Sequence, residues 1–303
     1  MQNQAEITAV EEEESVAKIH VGSAVREIGM KIVFAIAAAV FIAAVLAVCL
    51  YLFIRAVPTI AEIGALEFLF GTVWHTSLGD FGILTLVVGT CYSTVGALIV
   101  GVPIGLLTAV FMAFYCPKWL YKILKPLINI LAGIPSIVYG YFGLKIVVPL
   151  VRNAFGGGGY NIVTTSLILG IMILPTIISI TENSLRAVPK SYYEGALALG
   201  ATKERAIFRT MFPAAASGIM TAIILGLGRA IGETAAITLI CGNAAQFPAA
   251  LTDPFITLAS AISSGMGYSS GLRLDALVAV ALVLFVFVLI ITILVMLLKK
   301  KSR

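Results

Sequence analysis

The sequence predicts an all-α membrane protein with six transmembrane helices, and its composition and hydropathy pattern both support this. Of its 303 residues, 60% are hydrophobic and only 12% are charged, whereas about a quarter of the residues in a soluble domain carry a charge. Apolar runs of about 20 residues or more recur along the chain, as membrane-spanning helices require. The short segments of alternating polarity that are typical of a transmembrane β-barrel are missing.

Each long apolar run predicts one helix. The six expected spans are residues 30–57, 83–115, 126–151, 162–185, 214–241 and 276–298. The second is longer than one crossing needs, so we expect it to be tilted or to extend beyond the bilayer.

The chain divides in the sequence into a polar tail and a membrane domain. Residues 1–28 contain the acidic run from Glu11 to Glu14 and are expected to form a solvated, disordered tail. Residues 29–303 are expected to form the transmembrane domain. The acidic flank and the length of the first apolar run both argue against a cleaved signal peptide.

The positions of lysine and arginine predict the orientation in the membrane. Most of the 20 basic residues lie in the N-terminal tail, the 116–125 and 186–213 loops and the C-terminal tail. The loops on the opposite side contain only Arg55, Arg152 and Arg273. Both termini are therefore expected in the cytoplasm. The net charge of +5 reflects this distribution, so it does not indicate a nucleic-acid partner.

The sequence contains no convincing set of catalytic residues. Gly195 and Gly200 have the spacing of a P-loop, but Ala-Thr-Lys follows them where Gly-Lys-Ser/Thr is required. His20 lies in the tail and His75 in a loop, and the four cysteines are scattered without metal-site spacing. We therefore expect this chain to be no enzyme and to bind no cofactor or metal.

The 186–213 loop has a helical composition. We expect one short helix that is capped by Ser191 and ends at Gly200, and a second that begins after Thr202. The segment could lie at the lipid interface or dock into a groove of a cytosolic partner. The apolar side chains available for docking are Leu197, Leu199 and Ala201.

This loop resembles the coupling loop of permease subunits in ATP-binding-cassette importers. Glu194, Ala196, Gly200 and Pro213 carry the pattern, with Gly195 where the family usually has alanine. In that family the loop lies in a cleft of the ATPase subunit. The resemblance therefore implies that Glu194, Gly195, Ala196 and Gly200 couple the chain to an ATPase.

Two other stretches resemble the PstC-type permeases of high-affinity phosphate importers: "LAGIPSIVYGYFGL" at 131–144 and "GRAIGETAAITLICGN" at 228–243. The resemblance covers roughly residues 30–298. It implies the type I importer permease fold in a bacterial or archaeal cytoplasmic membrane. It also implies a PstA-like sister permease, a PstB-like ATPase dimer that carries ATP and Mg²⁺, and an extracytoplasmic protein that delivers phosphate to the 58–82 and 242–275 loops.

Two charges lie within the fifth predicted helix. Arg229 is close to its middle, where a charge costs on the order of 3 kcal/mol and must face protein or water. Glu233 follows at the i+4 position, so the two could form an ion pair that only packs helices, with Gly228 and Gly232 allowing close contact.

The alternative is a substrate path, which phosphate chemistry and the resemblance both favour. A guanidinium holds two phosphate oxygens at once, and the P–OH group of phosphate can donate to a carboxylate. We therefore expect Arg229 to attract the anion, and Glu233 to restrain the arginine or to accept from the phosphate.

The predicted spans also contain two further charged residues and a proline that breaks a helix. Lys145 either snorkels or adds positive charge to the path, and Glu182 caps its helix or pairs with Arg186 at i+4. The "GIPS" stretch at 133–136 predicts a kink or hinge.

The rival functions are a permease for another oxyanion such as sulfate or molybdate, an ion-coupled secondary transporter, and a receptor that reports phosphate status. Inverted repeats would favour the secondary transporter, and none is visible in the sequence.

Overall fold

The computed structural model describes the backbone of residues 2–75 and 79–301, and the side chains of residues 27–75 and 79–297. The chain divides into two compact units, Met1–Ile54 and Arg55–Arg303. The first unit consists of most of one helix, and the second contains the other spans.

The helix α1 extends over Gln2–Ile63. Its large apolar side chains, such as those of Phe34 and Phe41, are exposed, as expected where lipid takes the place of a protein core. We predicted a disordered tail for residues 1–28, but their backbone is helical from Gln2 onward. The segment is rich in alanine and glutamate, which have high helix propensity.

Among the described residues, four helices are long and apolar enough to cross a membrane, and two bent helix pairs raise the number of spans to six. These six correspond in order to the six predicted spans, which confirms the fold class. The spans are Glu27–Ile63, Leu84–Tyr115, Lys118–Gly133 with Ser136–Phe155, Ile162–Ala187, Lys203–Ala214 with Ala216–Gly232, and Leu272–Leu297.

The chain forms fourteen helices and one short hairpin among its described residues. After α1 come α2 (Ala65–Phe70), β1 (Trp74–His75), β2 (Asp80–Phe81), α3 (Leu84–Val110), α4 (Lys118–Gly133), α5 (Ser136–Phe142), α6 (Val148–Phe155) and α7 (Ile162–Ala187). Then follow α8 (Lys190–Ala198), α9 (Lys203–Ala206), α10 (Phe212–Ala214), α11 (Ala216–Gly232), α12 (Ala235–Ile240), α13 (Leu258–Gly265) and α14 (Leu272–Lys301). Wider π-helical turns continue α3, α5 and α9 over Phe111–Tyr115, Gly143–Val147 and Ile207–Met211.

The helices α3 and α7 pack closely along their length because glycines line their contact. A Cβ atom added to Gly96 would lie 2.0 Å from the Ser166 hydroxyl, and one added to Gly101 would lie 2.7 Å from Ile173. Small residues bring helix backbones close together where lipid provides no hydrophobic drive for association. This pair forms the scaffold on which the other helices are placed.

The predicted exterior loop at 242–275 contains a buried element. Residues 255–261 are all buried, and they lead into α13. A capping box starts this helix, with Thr257 and Ser260 bonding each other's backbone amides. The sequence analysis missed this helix because glycine, serine and proline dominate the surrounding stretch.

Gly89 on α3 is where the buried segment approaches most closely. An added Cβ atom would lie 2.3 Å from the carbonyl oxygen of Ile256 and 2.8 Å from the Phe255 ring. Nearby, the Leu258 amide donates to the Thr90 hydroxyl at 3.0 Å. The buried segment is therefore held against α3 by a contact that has no room for a side chain.

We expect Gly89→Ala to lower the free energy of unfolding by about 1–3 kcal/mol, because the backbone of the buried segment must move away from α3. Thermal unfolding of the detergent-solubilised protein measures the effect. Gly267→Ala is the matched control, since Gly267 lies in the same 242–275 segment with no atom within 4 Å of an added Cβ. Equal unfolding midpoints for the two variants would contradict the expected close contact.

Candidate functional site

The fifth span is interrupted at Glu233. The helix α11 ends at Gly232 and α12 begins at Ala235, with Glu233 in an extended conformation (φ −70°, ψ 129°). The prediction of one continuous helix over 214–241 was therefore wrong. Two features explain the break: glycine is a weak helix former, and the Glu233 carboxylate accepts a hydrogen bond from the Ala236 amide at 3.1 Å, which stabilises the start of α12.

Arg229 lies in the last turn of α11, where a positive charge complements the carbonyl end of the helix. The guanidinium is partly exposed and makes no hydrogen bond or ion pair with any residue in 27–75 or 79–297. The expected pair with Glu233 is not formed, because the break turns Glu233 out of the helical i+4 position. A charge within a membrane-spanning segment that has no partner among these residues requires water or a group from outside the chain.

The third span is broken at the "GIPS" stretch, as predicted. The chain bends by 96° between the helices before and after this stretch. Pro135 has no amide hydrogen and disfavours a helical conformation for Ile134 before it, and Ile134 is accordingly extended (ψ 128°). The Tyr139 hydroxyl donates to the Leu131 carbonyl oxygen at 2.7 Å, which links the two sides of the break. The first arm of the span begins at Lys118, earlier than the predicted start at residue 126.

The two breaks lie side by side. The helices that follow them, α5 and α12, are in close contact, since a Cβ atom added to Gly140 would lie 2.8 Å from the Ala236 Cα. Tyr139 belongs to the same core cluster as Ala230 and Ala236. Arg229 therefore lies where two interrupted spans converge.

The surface beside Arg229 is lined by glycines. Gly228 and Gly232, on the same helix as Arg229, have no atom within 4 Å of an added Cβ. We expected Gly228 and Gly232 to allow close helix contact, but across the described part of the chain neither packs against another helix. They leave an open face next to the charge instead.

The coupling loop forms two short helices, as predicted. Gly200 ends the first with positive φ (+83°), and the Ala201 and Gly200 amides donate back to Ala196 and Leu197 in a Schellman motif. Thr202 caps the second helix by accepting from the Arg205 amide at 3.3 Å.

The predicted cap at Ser191 was wrong, because α8 already begins at Lys190 with Pro189 in the capping position. The proline is preorganised for a helix start and needs no amide partner.

The exposed side of α8 carries the residues proposed for ATPase coupling. Glu194 and Gly195 are exposed, Ala196 is partly buried, and Leu199 is 92% exposed at the tip of the loop. The opposite side is anchored by the Tyr193 ring, which stacks on Phe114 with ring centroids 5.9 Å apart.

The other two predicted charges have clear positions. Lys145 is exposed, with its ammonium 5.8 Å from the centroid of the Tyr141 ring. Glu182 pairs with Arg186 at 2.8 Å, which confirms the predicted i+4 contact.

A family model, described as the binding-protein-dependent transport system inner membrane component, matches residues 101–303. The chain belongs to this family of membrane permeases. It is 33% identical to the probable ABC transporter permease protein YqgH of Bacillus subtilis over 249 residues, which are 80% of this chain and 81% of the relative. It is 34% identical to the phosphate transport system permease protein PstC of Pasteurella multocida, over 77% of this chain and 81% of the relative. The corresponding protein of Haemophilus influenzae is 35% identical, over 70% and 74%.

Solved structures of importer permeases share the fold of this permease. One is the MetNI methionine ABC transporter in an inward-facing conformation, with a TM-score of 0.55 at 19% identity over 73% of this chain and 94% of the other. Another is a bacterial ABC transporter that imports the polysaccharide alginate, with a TM-score of 0.56 at 15% identity over 86% and 95%. The permease thus has the type I importer fold of a multi-pass inner-membrane protein.

Sequence reasoning missed one residue of the permease's site. Tyr139 bridges the break in the third span and shares a core cluster with Ala230, the neighbour of Arg229 in the chain. Within an apolar run its hydroxyl gives no distinctive signal. Its distance from the kink, four residues after Pro135, could have suggested a role in stabilising the bend.

Two substitutions can separate the role of Glu233 as a cap of α12 from a role of its charge in transport. Glu233→Gln retains an oxygen that can accept from the Ala236 amide. If Glu233 serves only as a cap, we therefore expect transport by this variant to stay within about twofold of that by the unmodified permease. Glu233→Ala removes the acceptor and should weaken the start of α12 by about 1 kcal/mol. Transport assays of both variants measure the two roles, and a large loss with glutamine alone would show that the charge itself is needed.

Proposed function

We propose that the permease forms one half of the translocation path of an ATP-driven importer of inorganic phosphate. The observation that carries this proposal is Arg229, whose guanidinium has no partner among the side chains that the structure describes and lies at the junction of two interrupted spans, next to an open, glycine-lined face. Its relatives in Pasteurella multocida and Haemophilus influenzae, named as phosphate transport permeases, support the choice of anion.

The proposed chemistry uses the geometry of the guanidinium. Arginine can donate two parallel hydrogen bonds to a tetrahedral oxyanion. Within residues 27–75 and 79–297 no group occupies the donors of Arg229, so they are available to an anion. Glu233 is occupied by the Ala236 amide through one oxygen, so its second oxygen is the one that could accept from a P–OH group. A single arginine binds weakly enough to allow release on the opposite side.

The proposed assembly contains a PstA-like sister permease, a PstB-like ATPase dimer and an extracytoplasmic phosphate-binding protein. The exposed Glu194, Gly195, Ala196 and Gly200 would contact the ATPase. ATP and Mg²⁺ would be held by the ATPases, so this chain would bind no cofactor and carry out no hydrolysis. Both termini would lie in the cytoplasm, on the same side as the coupling loop.

Closure of the ATPases would move the coupling loop and switch access to Arg229 from one side of the membrane to the other. A rigid-body movement of this kind needs flexible points within the spans. The breaks at "GIPS" and at Glu233 lie at the depth where such a movement would open or close the path.

Uptake into proteoliposomes that contain the four proposed components tests the function. We expect accumulation of ³²P-phosphate that requires ATP and the binding protein, together with phosphate-stimulated ATP hydrolysis. Labelled sulfate and molybdate, each offered with its own binding protein, provide the comparison. Transport of either in place of phosphate would assign the permease to another oxyanion, and uptake without ATP would indicate a secondary transporter.

A further inference from the structure

A buried charge cluster lies at the end of α7 that leads into the coupling loop. Glu182 is 0% exposed, and its carboxylate accepts three hydrogen bonds. Tyr121 and Arg186 donate to one oxygen at 2.7 and 2.8 Å, and Lys125 donates to the other at 2.7 Å. The carboxylate is therefore fully satisfied and fixed in orientation by groups on two helices.

The cluster joins three spans. Tyr121 and Lys125 belong to α4, the arm that leads to the "GIPS" break, whereas Glu182 and Arg186 belong to α7. Arg186 also donates to the Met112 carbonyl oxygen at 2.7 Å, in the turn that ends the second span. Its guanidinium lies 4.8 Å from the centroid of the Tyr121 ring. One arginine and one glutamate thus tie together the cytoplasmic ends of three spans.

The same cluster borders the coupling loop. A cavity of 270 Å³ is lined by Arg186 together with Lys190, Tyr193 and Glu194 from the loop. The stack of Tyr193 on Phe114 closes the other side of this region. A displacement of α8 therefore reaches Arg186 through the short connection between Ala187, the last residue of α7, and Lys190, the first residue of α8.

We propose that Glu182 is a positioning residue that transmits movement of the coupling loop to α4 and so to the break at 133–136. Short charge-assisted hydrogen bonds in a buried site are directional, so α4 follows α7 and does not slide past it. From Lys125 to Gly133 the arm advances by eight residues, a length of about 12 Å at the helical rise. A small rotation at Glu182 is therefore enlarged at the break. This role rests on the proposed ATP-driven import.

The competing explanation is a purely structural cluster that holds three helices together. Such a cluster would affect assembly and stability but not the amount of substrate moved per ATP. The ratio of phosphate imported to ATP hydrolysed, measured in reconstituted complexes, separates the two explanations.

We expect Glu182→Gln and Lys125→Gln to lower the transport ratio by about two- to thirtyfold, the range found for residues that couple distant sites, while ATP hydrolysis continues. Lys122→Gln is the matched control. It removes the same charge from the same helix as Lys125→Gln does, but Lys122 is exposed. If Glu182→Gln fails to assemble, the transport ratios of Lys125→Gln and Tyr121→Phe test the proposal instead. Each of these variants leaves the pair of Glu182 with Arg186 intact. An unchanged ratio in the assembled variants would overturn the proposal.

A second readout does not depend on the transported ion. Spin labels at positions 130 and 137, which are 63% and 56% exposed on the two sides of the break, should change their separation when ATP binds the complex. We expect Glu182→Gln, or Lys125→Gln in its place, to abolish this change, and a change that persists in the variant would overturn the network. If the original complex shows the change but imports no phosphate, the proposed substrate fails and the network stands.

Discussion

Replacing Arg229 with glutamine is expected to reduce phosphate uptake by about a hundredfold or more. Two hydrogen bonds to a charged group contribute roughly 1.5–3 kcal/mol each, and a loss of about 3 kcal/mol corresponds to more than a hundredfold. Glutamine keeps a polar group that can donate hydrogen bonds, but it is shorter and carries no charge, so the variant removes the attraction for the anion. Uptake of ³²P-phosphate into proteoliposomes measures the effect.

Arg229→Lys is the matched variant for geometry. Lysine retains the positive charge but offers a point charge in place of a planar fork, so we expect uptake between those of the arginine and glutamine forms. Copurification with the sister permease and the ATPase shows that each variant assembles. Normal uptake by an assembled Arg229→Gln complex would remove Arg229 from the phosphate path.

Replacing Leu199 with aspartate is expected to prevent stable association with the ATPase. Leu199 is 92% exposed at the tip of the coupling loop, so its apolar side chain is available to the ATPase that the proposed assembly places there. A charge in the centre of a protein interface typically costs 2 kcal/mol or more, about thirtyfold in affinity. Copurification of a tagged ATPase with the permease measures the loss.

Tyr268→Asp is the control for this prediction. Tyr268 is 91% exposed and lies in the 242–275 segment, which is expected on the opposite side of the membrane. The same change from an exposed apolar residue to a charged one should there leave ATPase binding intact. Equal copurification of both variants would show that the tip of the loop does not contact the ATPase.

The features that could be predicted from sequence depend on local signals. Spans are set by runs of apolar residues, the break at "GIPS" by a proline that cannot continue a helix, and the end of α8 by a glycine with positive φ. The contact between Glu182 and Arg186 follows from helical spacing. Each of these needs only the residues within a few positions along the chain.

The features that were missed depend on partners distant in sequence. The residues near 255–261 give no signal that this segment is buried, because it is α3 that covers it. The close approach of the segment to α3 depends on Gly89, which is distant in sequence. The break at Glu233 has only a weak local signal, since "GET" can continue a helix. Because Glu233 caps α12, the ion pair expected from i+4 spacing is replaced by a lone arginine.

The central claim is that a positive charge at position 229 faces an aqueous path and attracts phosphate. Chemical restoration of that charge in Arg229→Cys tests it most directly, with the four free cysteines, Cys49, Cys91, Cys116 and Cys241, replaced by serine or alanine. A water-soluble cationic thiol reagent should restore at least part of the lost phosphate uptake, whereas a neutral reagent of similar size should not. If the cationic reagent attaches at position 229 without restoring uptake, or cannot reach that position from water, the claim is contradicted.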